Sequence, residues 1–249
     1  MISNFNKTQE RIKKDFNDKD FLELFSKGGI ALLYRIGGQV LGFLLTFVIA
    51  YFFGANGLGD YVLAIVVLKV FTLISKLGLD TASIKYIASF STDGSYRNIL
   101  DFRKKSLLLI LLMSIICSFL MYYGADYIAN FIGANTFHIR ITSFFILPMS
   151  IFIFHYQNMR GLKEIGGYSF FFWMSQALFT LISILVLTTF TRAASVPLYA
   201  YLISLIIVSV MSVVCFTYFL RRKSKTYNND GSETNNVDIK EILKVSLPL

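Results

Sequence analysis

The sequence predicts an all-α fold, a bundle of helices that crosses a membrane several times, on three observations. Hydrophobic residues make up 55% of the chain and charged residues only 16%, more apolar than a soluble core of this size requires. Six apolar stretches recur at 28–53, 58–77, 106–124, 139–159, 166–190 and 196–220, each near the roughly 20 residues that a helix needs to span the hydrocarbon. The basic residues also alternate sides. Twenty of the twenty-four Lys and Arg lie before the first stretch or around the connections that follow the second, fourth and sixth. By the positive-inside rule those segments are cytoplasmic, so the N-terminus is inside and the chain crosses six times. The net charge of +9 then belongs to cytoplasmic loops and calls for no nucleic-acid partner.

Taken in order, residues 1–27 form a cytoplasmic N-terminal segment. They hold no continuous apolar run and are dense in both charge signs, so no cleavable signal is expected and the first span acts as its own insertion signal. Residues 10–27 fit an amphipathic helix with Phe16, Phe21, Leu24 and Phe25 against membrane lipid, or else a solvated tail. The six-helix lobe covers 28–222. Its first two spans are joined by "FGANGLGDY", whose glycines suit a tight hairpin on the outer surface. The stretch "KLGLDTASIKYIASFSTDGSYRNILDFRKK" is too polar to cross and too long for a turn, which predicts interfacial helix on the cytoplasmic side. Pro148, near the middle of the fourth span, removes a backbone hydrogen bond and predicts a kink. Cys117 and Cys215 both fall inside spans, where a small buried hydrophobe is the expected role.

Residues 223–240 read as a polar cytoplasmic linker, rich in Asn, Ser, Asp and Gly. Residues 241–249, with the apolar onset "ILKVSLPL", read as the start of a seventh helix. The expectation is the front half of a longer protein, since transporters are often built from two repeated halves.

Polar side chains interrupt the spans in stripes. At 3.6 residues per turn Arg35, Gln39, Gly42 and Thr46 share a face of the first helix. Lys69, Thr72 and Lys76 repeat the arrangement on the second, and Ser169, Gln176, Thr180 and Ser183 on the fifth. A charge at the centre of a span costs roughly 2.5–3.5 kcal/mol, so such residues face a neighbouring helix or a wet cavity. Lys76 lies close to a cytoplasmic end, where snorkelling to the headgroups is the favoured alternative. Lys69 sits two turns deeper and resists that explanation, while Arg35 is open to both. The fifth-helix stripe suits helix packing first and ligand contact second.

The six apolar cores hold no Asp or Glu: Asp60, Asp80, Asp126 and Glu164 fall at or beyond the ends. A pocket for cations or a proton site wants a buried carboxylate, so the pattern points to a cavity that attracts an anion such as pyrophosphate. The candidate cavity residues are Arg35, Lys69, Gln39, Lys76 and Gln176. Neither a Gly-rich phosphate loop nor a zinc-ligand spacing is present, and no cofactor is expected. The two histidines lie at the edges of the fourth span, and His155 reads as a hydrogen-bonded helix residue, not a catalyst.

Four motifs add a resemblance. "AYFFGANGLGDY", "KLGLDTASIKYIA", "NMRGLKEIGGYS" and "ILKVSLPL" occur in an order similar to that of the N-terminal half of polysaccharide-biosynthesis flippases. These are the O-antigen and capsule repeat-unit translocases of the multidrug/oligosaccharidyl-lipid/polysaccharide exporter superfamily. Where that family often has an arginine and Leu-Gly before the outer turn, this chain has Ala50-Tyr51 and Phe53-Gly54, so no role carries to those positions. The resemblance implies a two-lobed bundle of twelve to fourteen helices in the bacterial inner membrane. It further implies a substrate that is an oligosaccharide linked to a polyprenyl pyrophosphate, held by Arg35 and Lys69, with Gln39 and the fifth-helix stripe as sugar or helix contacts. The missing C-terminal half of the same protein is the implied partner. Competing readings are a drug or metabolite exporter of the same superfamily, an integral-membrane enzyme of envelope assembly, and an inactive remnant.

Overall fold

A computed structural model describes residues 19–224, with side chains from residue 28 onward. The side chains of the amphipathic segment expected at 10–27, the linker from 225 and the seventh helix expected from 241 lie outside the described residues. Among the described residues every regular element is helical. In order these are α1 (Lys19–Ser75), α2 (Leu79–Thr92), α3 (Tyr96–Tyr123), α4 (Ala125–Ile132), α5 (Thr136–Ser143) and α6 (Ile146–Gly161). They continue with α7 (Ile165–Ser169), a π-helical turn (Phe170–Ser175), α8 (Gln176–Thr188) and α9 (Val196–Ser224). Four helical stretches are long and apolar enough to cross a membrane: Gly28–Ser75, Tyr96–Tyr123, Ile165–Thr188 and Val196–Ser224. Counting α5 and α6, bent by 52°, as one broken span makes five.

The hairpin expected at "FGANGLGDY" is helical on both sides of a single residue. Gly54 has φ 69° and ψ −173°, while its neighbours keep helical geometry. That conformation is open to glycine and strained for a residue with a Cβ. One such residue is enough to fold α1 back on itself. At 1.5 Å per residue a straight helix would hold Gly38 and Thr72 roughly 50 Å apart, yet both line one cavity.

The second break falls at the other end of α1, where Leu77 (φ 50°) and Gly78 (φ 71°) are left-handed. The turn is closed by Leu79 N–H donating to the Lys76 carbonyl at 2.8 Å and Ala82 N–H donating to that of Gly78 at 3.1 Å. From there α2 runs as the expected polar-faced helix and buries Leu79, Ala82 and Ile87. It packs so closely on α6 that a Cβ on Gly161 would lie 3.0 Å from the Ile87 Cβ. The next span starts at Tyr96 and not at 106. Its polar opening turns still carry Ile99 and Phe102 in phase with Ser106 and Ile110, and all four are fully buried. Hydropathy alone misses that periodicity because charged residues surround it.

Pro148 sits in the first turn of α6, one turn after the break at Phe144 and Phe145. Proline has no N–H to give the carbonyl four residues earlier, so the chain bends just ahead of it. The main core joins α3, α6, α9 and the second arm of α1 around Leu68, Phe102, Ile110, Phe154 and Phe216. A smaller cluster fastens the first arm to α8 and α9 through Leu45, Ile49, Leu181, Ile184 and Ala200. Outward-facing Leu33 (71% exposed), Phe43 (76%) and Leu185 (64%) would be costly in water, and they meet lipid tails at no such cost.

Gly54→Ala should destabilise the fold by about 1–3 kcal/mol through backbone strain alone, since a Cβ there would touch nothing within 4 Å. Gly59→Ala, with equally open surroundings and an ordinary helical φ, should be neutral or slightly stabilising. Thermal unfolding of the two variants in detergent separates strain from crowding.

Candidate functional site

The fold-back at Gly54 sets Gly38, Gly42 and Leu45 of the first arm opposite Tyr61, Ile65, Lys69 and Thr72 of the second. Between them lies a cavity of about 580 Å³, closed by α6, the π-helical turn, the start of α8 and the middle of α9. The π-helical turn is the sequence "FFFWMS". This wider turn sets Phe171, Phe172 and Trp173 into the wall. The first arm approaches this turn backbone to backbone: a Cβ on Gly38 would lie 2.3 Å from the Trp173 carbonyl oxygen. Only a residue without a side chain fits that crossing.

Aromatic rings form a continuous wall. Phe172 and Trp173 meet edge to face at 4.7 Å, Tyr156 and Phe172 at 5.7 Å, and Phe152 and Tyr156 at 5.1 Å. On the far side Tyr61 packs edge to face on Tyr201 at 5.9 Å. These are favoured arrangements for ring quadrupoles, so the wall holds its shape without a ligand.

Three of the five residues singled out by sequence line the cavity: Lys69, Lys76 and Gln176. Lys69 is exposed into open space and has no hydrogen-bond or ion-pair partner among the described residues. Lys76 behaves differently from the snorkelling favoured for it. It is 6% exposed, and its Nζ donates to Asp80 Oδ2 at 2.6 Å. The premise that basic residues here lack negative partners is therefore corrected for Lys76. The missed partner was legible as an i,i+4 pair across the α1–α2 break. Gln176 Nε2 donates to Ser204 Oγ at 2.7 Å, and Thr180 and Ser204 share a hydrogen bond of 2.8 Å. The fifth-helix stripe thus joins α8 to α9, while Gln176 Oε1 stays buried without a partner.

Arg35 and Gln39 are exposed and lie outside the cavity lining. Arg35 is tied to the site through Trp173, with its guanidinium 5.1 Å from the ring centroid. An arginine on an indole face gains on the order of 0.5–2 kcal/mol, which fixes both groups. His155 stays away from the cavity. Its Nδ1–H donates to the Ile151 carbonyl at 2.8 Å, which leaves Nε2 as acceptor for Arg103 Nη2 at 3.4 Å. Cys117 is buried and Cys215 half-buried, and both are free thiols. The lining holds no Asp or Glu.

The chamber thus joins an aromatic wall to one lysine without a partner among the described residues and to no carboxylate. The family model described as "Polysaccharide biosynthesis protein" matches residues 24–249. The chain belongs to that family. No curated protein and no solved structure matches it. As a polysaccharide biosynthesis protein with several apolar helices of spanning length, it is a multi-pass membrane protein with a role in making or moving polysaccharide. The match spans every wall of the cavity, from the first arm of α1 to α9.

Asp80→Asn should leave Lys76 buried without a counter-charge and cost about 3–5 kcal/mol, most of which returns when Lys76→Met is added. Thermal unfolding of the single and double variants gives that comparison. Gly38→Ala should push the first arm off the π-helical turn. Trp173 is the single tryptophan of the chain, so a shift of its emission maximum reports the displacement directly.

Proposed function

We propose that this polysaccharide biosynthesis protein is the N-terminal lobe of a flippase. In this reading it carries oligosaccharide repeat units linked to undecaprenyl pyrophosphate across the bacterial inner membrane, by alternating access. The observation that carries the proposal is Lys69, an unpaired cation in a carboxylate-free cavity walled by aromatic rings. A lysine held in that setting draws a phosphate out of water and off the membrane surface. The rings offer flat apolar faces to the C–H faces of sugars. Lys76 tunes the chamber less, because Asp80 already answers its charge.

The two arms of α1 count as separate spans once Gly54 is taken as a reversal. With α3, the bent α5–α6 pair, α7–α8 and α9 they make six, which puts residue 28 and Arg221, Arg222 and Lys223 on one side, the cytoplasm. The exposed face of α1 with Lys69 and Leu73, which borders the cavity, is then the one turned to the second lobe. Transport is the activity assigned, since a cation beside flat ring faces suits holding an anionic sugar carrier. A drug exporter for cations fits less well: the carboxylate nearest the chamber, Asp80, is held by Lys76.

Lys69→Ala should abolish surface polysaccharide at normal protein levels, and Lys69→Arg should keep a substantial part of it. Depletion of the full-length protein should make lipid-linked repeat units build up on the inner leaflet. Unchanged polymer in Lys69→Ala, or no build-up on depletion, overturns the assignment.

A further inference from the structure

A second hollow opens on the outside of the bundle, unconnected with the chamber. It is a groove of about 320 Å³ between α3 and the break that separates α5 from α6. Ile115, Phe119, Tyr122, Phe144 and Leu147 form its sides, with Ser114 and Ser118 at its base. Ser118 Oγ donates to the Ser143 carbonyl at 2.9 Å, which covers a backbone group freed by the bend. Phe119 and Phe144 are 59% and 64% exposed, so the groove faces outward at the depth of the span.

The groove runs along α3 for about two turns and ends at Tyr122 and Tyr123, where the span itself ends. There α4 turns away as a short helix that buries Ala125 and Ala129 and exposes Tyr127 (79%) and Phe131 (81%). Exposed aromatic residues grouped at a helix end mark the level of the lipid headgroups. At that level Arg140 lies over the Tyr122 ring at 5.9 Å and donates to Asp126 Oδ2 at 2.6 Å. Both side chains remain open, at 42% and 62%, and the Arg140 Nε is buried with no partner.

We propose that this groove holds one acyl chain of a zwitterionic phospholipid, with the headgroup seated on Arg140 and Asp126. The guanidinium takes the phosphate and the carboxylate takes the ammonium, so a positive and a negative side chain placed side by side match a headgroup that carries both signs. An anionic lipid would bring a phosphate for Arg140 but no ammonium for Asp126. The acyl chain descends from the aromatic level into the apolar groove toward Ser114. The site is independent of the chamber and of its substrate.

Native mass spectrometry of the purified protein in detergent, with phosphatidylethanolamine or phosphatidylglycerol added at equal concentration, tests the proposal. Phosphatidylethanolamine should be retained at one per chain, about ten-fold more strongly than phosphatidylglycerol, as the loss of a charge-assisted contact would give. Asp126→Asn should erase that preference, and Leu147→Trp, which fills the groove, should lower retention of both lipids. Lys69→Ala should retain phosphatidylethanolamine like the parent. Equal retention of the two lipids by the parent, or a preference that survives Asp126→Asn, overturns the proposal. So does displacement of phosphatidylethanolamine by equimolar undecaprenyl phosphate, which would assign the groove to a polyprenyl tail.

Discussion

Inside hydrocarbon a backbone amide or carbonyl has no water to turn to, so a spanning chain leaves its helix only where something else answers the freed groups. Every feature of interest in this protein lies at such a departure. Gly54 reverses α1 with a single left-handed residue. The turn at Leu77 and Gly78 is closed by its own backbone bonds and places Asp80 within reach of Lys76. The bend before Pro148 is covered from α3 by Ser118. The π-helical turn keeps the backbone helical while changing its pitch. Between these points the helices are ordinary and pack mainly through apolar faces, with the polar seam of Gln176, Thr180 and Ser204 between α8 and α9.

The chamber is therefore a product of the breaks more than of any one side chain. Two arms of a folded helix form one wall, and the widened turn forms the other. The close contact at Gly38 locks the two together. Electrostatics follows from that geometry. Lys76 lies where the break brings an acid to it, and Lys69, two turns away, has no acid paired with it among the described residues. The same segment thus holds one neutralised lysine and one available lysine.

The helical class, the apolar segments and the bend ahead of Pro148 were legible in the sequence, because hydropathy and proline act locally. So was the polar pattern that singles out Lys69 and Gln176. What stayed hidden depends on partners far along the chain or on backbone detail. "FGANGLGDY" looks like a loop by composition, yet one glycine does the turning and the rest stays helical. The third span reaches back to Tyr96 because a buried face persists beneath its charged residues. Arg35 shares a helical face with Gly42, but the wheel does not reveal that Trp173 lies between the guanidinium and the chamber. The π-helical turn leaves a faint trace in five consecutive large aromatic or sulfur-bearing side chains.

That turn has a bearing on how related chains are to be aligned with this one. A π-helical turn contains a residue more than the α-helical path it replaces, so its sequence equivalent in a chain without it is a one-residue gap. Losing one residue of 170–175 would let the turn close to an even α-helix and leave the side chains after it in the same directions. Gln176 and Thr180 would stay on Ser204, and the change would fall on the chamber wall at Phe171, Phe172 and Trp173.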